Sequence, residues 1–369
     1  MASVLVFRIG NLGDTLVGLP AMWAVREHYA DSRITVLCNA RGESRYIVPT
    51  DVLDGSGICD DFLLYPTGSF ERAPLRYPVE MMRLLMELRR RRFNVLVYLV
   101  PSRRSARQIS RDRQFFRLAG IKTLIGMGTA EHLPHKTPGE PLPMVPREGD
   151  LLLARLAAAG IPVPPAGIGR TDVGLGQKDS NAVSTWLRGL PGDGDRPWIS
   201  VGPGSKQPAK LWPEERFERV VDHLIRRFDV WPVVFGSEED RRLGDRLTEA
   251  WGRGYNASGR LGVREAMMAM RRCVLHLGND TGTMHMAAAV NVRCVAVFSS
   301  HNLPGTWYPY GEGHVVLRTA VDCEGCQRSE CGDQGMRCIL AIAPETVTEA
   351  CAKILRSMKS TASALSRDI

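Results

Sequence analysis

The chain has 369 residues, 44% of them apolar and 24% charged, with a formal net charge of +8. That balance excludes a disordered chain, and no uninterrupted apolar run approaches the roughly 18 residues that span a bilayer. The length exceeds what one hydrophobic core usually serves, so two domains are expected. Arg8 and Asp14 interrupt the first apolar stretch, so no secretory signal is expected. A cytoplasmic location follows as an expectation, with the nine cysteines mostly reduced. Charge is uneven: residues 1–170 hold 23 Lys and Arg against 16 Asp and Glu, and the remainder holds 25 against 24. The basic excess of the first half suits an acidic partner (an anionic sugar, a phosphorylated lipid or nucleic acid) or a merely solvated surface.

In chain order, 4–9 reads as a buried strand and 15–29 as a helix, with Leu16, Leu19, Trp23 and Arg26 at helical spacing and Pro20 bending its first turns. A strand is predicted over 33–38. An amphipathic helix is predicted over 79–92, with Met82, Leu85 and Leu88 on one face and Arg89–Arg92 at its end, then a strand over 94–99. Proline-rich stretches at 134–147 and 162–176 read as loop, the second as the inter-domain linker. A second alternating set follows: strand 198–201, helix 213–227, strand 230–235, helix 239–251, helix 263–271, strand 273–277, helix 283–290, strand 293–298 and a last helix over 345–358. The domains are read as 1–170, 177–345, and a terminal helix and tail at 346–369. Strand–helix alternation predicts two doubly wound parallel sheets, which place ligands at the carboxyl ends of their strands.

Four junctions carry chemistry. In Arg8-Ile9-Gly10-Asn11-Leu12-Gly13-Asp14 a strand ends, two glycines permit a tight turn, and a carboxylate lands at a helix start. The dinucleotide fingerprint is absent, and a carboxylate here would repel a pyrophosphate. Asp14 therefore suits either proton acceptance from an attacking hydroxyl or plain N-capping. In Gly202–Pro213, Ser205, Lys206 and Lys210 follow a strand and precede a helix expected to begin at Pro213. That set suits a phosphate cradle or a surface loop, and it lacks the ending of a nucleoside-triphosphate loop. In Gly278-Asn279-Asp280-Thr281-Gly282-Thr283-Met284-His285 a strand gives way to a helix N-terminus, which suits a phosphate or pyrophosphate, or an N-cap at Asp280 or Thr281. A fourth, Phe235-Gly236-Ser237-Glu238-Glu239, offers a glutamate for ribose hydroxyls or a dipole-favoured acid.

In this order the motifs resemble glycosyltransferase family 9, whose best-known members are ADP-heptose:lipopolysaccharide heptosyltransferases. The resemblance rests on Gly-x-x-Gly-Asp, Lys-x-Trp-Pro and Asp-Thr-Gly-x-x-His, with Trp307-Tyr308-Pro309-Tyr310-Gly311 and Pro344-Glu345 behind them, and runs over roughly 1–358. It implies the GT-B fold, two facing α/β domains with the active site in the cleft between them. It also implies inverting, metal-independent transfer without a cofactor, from an ADP-heptose-like donor to a lipopolysaccharide-core-like or other anionic glycan or glycolipid acceptor. Asp14 would be the general base, and Lys210 with Thr281 and Gly282 would hold the diphosphate, an unscreened lysine standing in for a metal. Ser205 and Lys206 sit at phosphate contacts, where Lys206 departs from the usual hydroxyl. Asp280 and His285 would face the sugar-diphosphate, Glu239 (or Glu238) the ribose, Leu261 the adenine, and Arg8 and Gly13 the acceptor. A different sugar in polysaccharide or small-molecule glycoside synthesis is the alternative within the enzyme class. A non-catalytic nucleotide- or glycan-binding module is the alternative outside it.

Arg103 and Arg104, with Arg107, Arg111 and Arg113, follow a strand end where an acceptor would lie. Arg89–Arg92 suit a peripheral contact with the inner face of an anionic membrane or a solvated helix end. Nucleic acid is not expected, because the basic residues are not interleaved with aromatics. Cys323, Cys326, Cys331 and Cys338 are read as a reduced structural cluster in preference to a zinc site. Asp193-Gly194-Asp195 is read as a turn.

Overall fold

The computed structural model describes residues 2–40, 47–66, 76–128, 134, 136, 137 and 139–365, with side chains to Met358. The last tail residues, 366–369, lie outside it. Residues Met1–Leu133 with Pro146–Gly174 form one unit, and Pro134–Val145 with Leu175–Ile369 form the other.

The first unit runs β1 (Ser3–Phe7), α1 (Leu12–Val17), α2 (Leu19–His28), β2 (Arg33–Asn39), α3 (Pro49–Leu53), β3 (Asp61–Tyr65), α4 (Arg76–Arg91), β4 (Val95–Tyr98), α5 (Ala106–Leu118), β5 (Thr123–Ile125) and α6 (Glu148–Ala157). Among the described residues its strands form one sheet in the order β3-β2-β1-β4-β5. All its pairings are parallel, and Phe7 is in register with Leu37 and Tyr98. Val4 to Phe7 are all buried, the continuous apolar run expected of a strand covered on both faces. Phe7, Tyr98 and Phe116 pack ring to ring at 5.2–5.6 Å in the core.

The second unit runs α7 (Gln177–Leu187), β6 (Trp198–Gly202), α8 (Glu214–Phe228), β7 (Trp231–Val234), α9 (Arg241–Trp251), β8 (Tyr255–Asn256), α10 (Val263–Met270), β9 (Cys273–Asn279), α11 (Gly282–Ala289), β10 (Cys294–Phe298), β11 (Val315–Arg318), α12 (Arg337–Leu340) and α13 (Pro344–Leu365). Its sheet is parallel, in the order β11-β10-β9-β6-β7-β8. The terminal helix, expected as a separate piece, is built into this core through Val347, Cys351, Ala352 and Leu355.

Each sheet reverses its winding once. Strand order turns back between β1 and β4 in the first unit and between β6 and β9 in the second. At such a switch point the loops leaving the two strands diverge and open a crevice at their carboxyl ends. The Arg8–Asp14, Gly202–Pro213 and Gly278–His285 motifs and the Arg103–Arg104 pair leave those four strands, while the Phe235–Glu239 motif leaves the neighbouring β7.

Four expectations need correcting. The helix over 15–29 is two helices that meet at Gly18, and Pro20 stands in the first turn of the second without bending anything. The position suits glycine, because a β-carbon on Gly18 would lie 3.0 Å from the buried Arg8 guanidinium. Pro213 is the N-cap of α8, not its first residue. The segment Pro134–Val145, read as part of the first domain, packs with the second unit, where Val145 N–H donates to Pro304 O at 2.9 Å. Met82 lies on the outward side of α4, whose buried residues are Leu84 and Leu88.

Candidate functional site

In the first unit, Arg8 follows β1 directly and is fully buried, with its Nη1 donating to Leu99 O at the end of β4. Burial pulls the guanidinium below the usual arginine range, and the carboxylates of Asp14 and Glu148 oppose that shift. Asp14 is the third residue of α1, so the N-cap is Asn11 and not Asp14. The Asp14 carboxylate accepts the Asn11 N–H at 2.8 Å, which fixes the turn. Gly10 has φ +136°, and a β-carbon there would fall 2.4 Å from the Asp14 Cβ. The glycine is required both for its backbone angle and for the carboxylate beside it. Gly13 is half-buried in the same turn.

Sequence reasoning missed Glu148, the first residue of α6. It is buried and accepts the Ser102 N–H and hydroxyl at 2.8 and 2.9 Å. Burial raises its carboxyl, against the pull of Arg8, Ser102 and Arg155. Buried Arg8 and Glu148, with the half-buried Arg155, form a charged set whose field Asp14 shares. The Nε and Nη2 atoms of Arg8 and Oε2 of Glu148 have no hydrogen-bond partner among the described residues. Such orphaned charged atoms are costly, and a bound polar group would satisfy them. Of the two arginines expected to meet an acceptor, Arg103 is exposed in the loop after β4. Arg104 is committed to Asp112 at 3.0 Å, which also accepts the Tyr98 hydroxyl at 2.7 Å.

In the second unit the loops after β6 and β9 meet. Lys210 lies 2.7 Å from Asp280 Oδ2 and 3.3 Å from Asp280 O, with side-chain exposures of 14% and 3% for the pair. The lysine is therefore not unscreened, as expected from the sequence, but held by a buried carboxylate. The ammonium donates to Asp280 O, and its contact with Oδ2 is an ion pair without hydrogen-bond geometry. Thr281 is the N-cap of α11 and makes no side-chain capping bond, so its hydroxyl leaves the first-turn amides of Gly282 onward untouched. Its hydroxyl instead meets Thr283 Oγ1 at 3.0 Å. His285 is buried one turn further on, and burial pushes its imidazole down to about 4, so it is neutral near pH 7.

Ser205 accepts the Gln207 N–H and donates to Gln207 O, both at 3.1 Å, and so shapes its own loop. Lys206 is exposed beside it. Glu239 is exposed, whereas Glu238 pairs with Arg241 at 2.6 Å and packs on Gly259, two residues before the half-buried Leu261. The geometry thus sets Glu238 nearer that loop.

Two braces were not visible from the sequence. Asn279 donates to Pro203 O at 2.7 Å and accepts the Trp212 N–H at 3.3 Å, tying both ends of the Lys210 loop to β9. Asp240 accepts the Ser237 N–H and hydroxyl at 2.7 and 2.8 Å and packs against Gly204 and Gly236. Below them Gly202 and Gly278 are in register, and a β-carbon on either would strike Thr283 Oγ1 or His276 Nε2 within 2.5 Å. These glycines let the first turn of α11 settle onto the sheet.

A family model for glycosyltransferase family 9 (heptosyltransferase) matches residues 135–337. The chain belongs to glycosyltransferase family 9. Lipopolysaccharide heptosyltransferase 2 of Escherichia coli (strain K12) is 27% identical over 164 residues, 42% of this chain and 46% of that protein. Lipooligosaccharide heptosyltransferase 2 of Haemophilus influenzae is 32% identical over 111 residues, 28% of this chain and 32% of that protein. The match thus spans less than half the length of these curated relatives. Among solved structures, a family 9 glycosyl transferase from Veillonella parvula aligns with a TM-score of 0.73 at 20% identity, covering 96% of this chain and 98% of that one. E. coli ADP-heptose lps heptosyltransferase II aligns at 0.67 and 20%, covering 97% and 100%. These likenesses show the fold, which is GT-B: two Rossmann-like parallel-sheet units.

In this family 9 chain the four late cysteines are free thiols, with Cys326 exposed and the others half-buried. No group of three or more metal-ligating side chains is assembled among the described residues. The residue between the first pair has a clear role instead. Glu324 is buried and binds Lys136 Nζ and Arg318 Nη2, each at 2.9 Å, and the Leu142 N–H at 2.5 Å. The cysteine-rich loop therefore clasps the Pro134–Val145 segment to the second unit.

Proposed function

We propose that this protein is an inverting glycosyltransferase that moves a sugar, heptose, from an ADP-linked donor to a lipopolysaccharide-core glycan. The observation that carries the reading is Lys210, held by buried Asp280 at the uncapped N-terminus of α11. An ammonium donor and a row of backbone N–H groups in one place suit a diphosphate. The same groups stabilise it as a leaving group, where each well-placed donor contributes about 3–4 kcal/mol. This supports transfer without a divalent ion.

Asp14 accepts the proton of the acceptor hydroxyl as its oxygen bonds to the anomeric carbon and the carbon–oxygen bond to the diphosphate breaks. Attack opposite the leaving group inverts that carbon. Arg8, with its buried donors, supports an anionic acceptor beside Asp14. Family membership and the lipopolysaccharide and lipooligosaccharide heptosyltransferases it resembles support the choice of sugar and acceptor. Metabolism at the inner face of the cytoplasmic membrane is part of the same reading.

The test is transfer from ADP-heptose to a heptose-free lipopolysaccharide core in EDTA, with the anomeric proton followed by NMR. Inverted product is expected. Asp14→Ala should abolish transfer while ADP still binds by calorimetry. Full turnover by that variant removes Asp14 from the mechanism, and selectivity for UDP or GDP over ADP redirects the donor.

A further inference from the structure

The helix α4 carries an exposed stripe that a soluble domain would ordinarily bury. Val79, Met82 and Met86 are 50%, 55% and 56% exposed, at spacings of three and four residues that put them on one face. Leu118, 60% exposed at the end of α5, continues the stripe, because Arg89 Nε donates to Leu118 O at 2.8 Å. The opposite face of α4 holds Leu84 and Leu88 in the core.

The charges on the stripe's own helical face are positive. Arg83 and Arg90 share its helical face, being four residues beyond Val79 and Met86, and both are exposed. Arg83 makes no ion pair among the described residues. The acids of the helix, Glu80 and Glu87, lie on its flank, paired with Arg76 and with Arg90 and Arg91. Flexible apolar side chains between long cationic ones are what an interfacial helix presents: methionines enter the acyl boundary while guanidinium groups stay at the phosphates.

We propose that this α4–α5 face docks on a lipid surface rich in anionic headgroups. It extends the reading above, in which the acceptor is a glycolipid, but the surface is argued independently of Asp14 and Lys210. Charge selects the occupant. A second copy would set these arginines against themselves. The four apolar side chains also offer on the order of 400 Å², half of one side of a standard dimer contact. A lipid phosphate layer pairs with Arg83, which makes no ion pair among the described residues, and needs no matching shape.

The test is co-sedimentation of the full chain with vesicles of phosphatidylcholine alone or mixed equally with phosphatidylglycerol. Binding to the mixed vesicles only is expected, falling at least tenfold between 0.1 and 0.5 M NaCl. The double variant Met82→Glu, Met86→Glu should lose at least tenfold in vesicle binding with unchanged melting and ADP affinity. Arg83→Gln should lose less, about threefold. Equal binding to both vesicle types, or undiminished binding by the methionine variant, overturns the proposal. So does a concentration-dependent dimer that the methionine variant abolishes, since the face would then belong to a second copy. Vesicle binding without sugar transfer would refute the proposed function and leave the surface standing.

Discussion

Replacing Asp280 with Asn tests how the Lys210 site is built. The pair is 2.7 Å apart, and at an effective dielectric of about 20 its attraction is roughly 6 kcal/mol before desolvation is subtracted. Removing one member of a buried pair typically costs about 3–5 kcal/mol. Lys210 keeps some exposure and its contact to Asp280 O, so the expected loss lies near the lower end, about 3 kcal/mol. Six of the seven tryptophans lie in the second unit, so urea unfolding followed by tryptophan fluorescence reads that unit. ADP at 100 times its Kd should add about 2.7 kcal/mol to the wild type. In the variant, Lys210 can turn wholly to the diphosphate, so the ADP-induced gain should be at least as large. A loss under about 1 kcal/mol, or disappearance of the ADP effect, refutes a lysine held ready by its carboxylate.

Gly10→Ala forces a side chain onto a backbone at φ +136° and into Asp14. It should cost about 1–3 kcal/mol in chemical denaturation and cut turnover at least 100-fold. Near-normal turnover would show that the Asp14 geometry tolerates movement. Burial holds His276 at about 3 and His285 at about 4, against about 6.5 when unfolded. Below pH 6.5 the unfolded chain therefore binds more protons, and stability should fall with pH by up to about 1.4 kcal/mol per unit for each histidine, down to about pH 4. A urea midpoint flat from pH 7 to 5 would contradict this. Glu324→Gln should weaken the grip on Lys136 and Leu142 and speed proteolysis within 134–145. Unchanged cleavage would deny the clasp.

The alternation of elements was legible because the core strands are largely apolar runs and each glycine-bearing junction is local. The motif that ends in Asp14 and the one that holds Asp280 to His285 could be placed on strand ends for that reason. What escaped reading depends on distant partners. Glu148 faces Arg8 only because α6 returns to the first sheet, and Asn279 braces a loop some seventy residues earlier. Lys210 looked unscreened because its partner enters from another strand. Periodicity placed Met82 on the wrong face of α4, since apolar character alone does not say which side the sheet lies on. The first helix was read through Gly18 because the apolar spacing of Leu16, Leu19 and Trp23 runs on past the glycine.

The capture of Pro134–Val145 by Glu324 means the chain passes three times between its two halves. Neither half is therefore one uninterrupted stretch of gene. A chimera joined once near residue 174 would strip Glu324 of its lysine and of a backbone amide, leaving Arg318 alone to pair a buried carboxylate. Exchange of halves among relatives should succeed only when this dozen-residue passenger travels with the C-terminal part, a rule that shuffled libraries would expose at once.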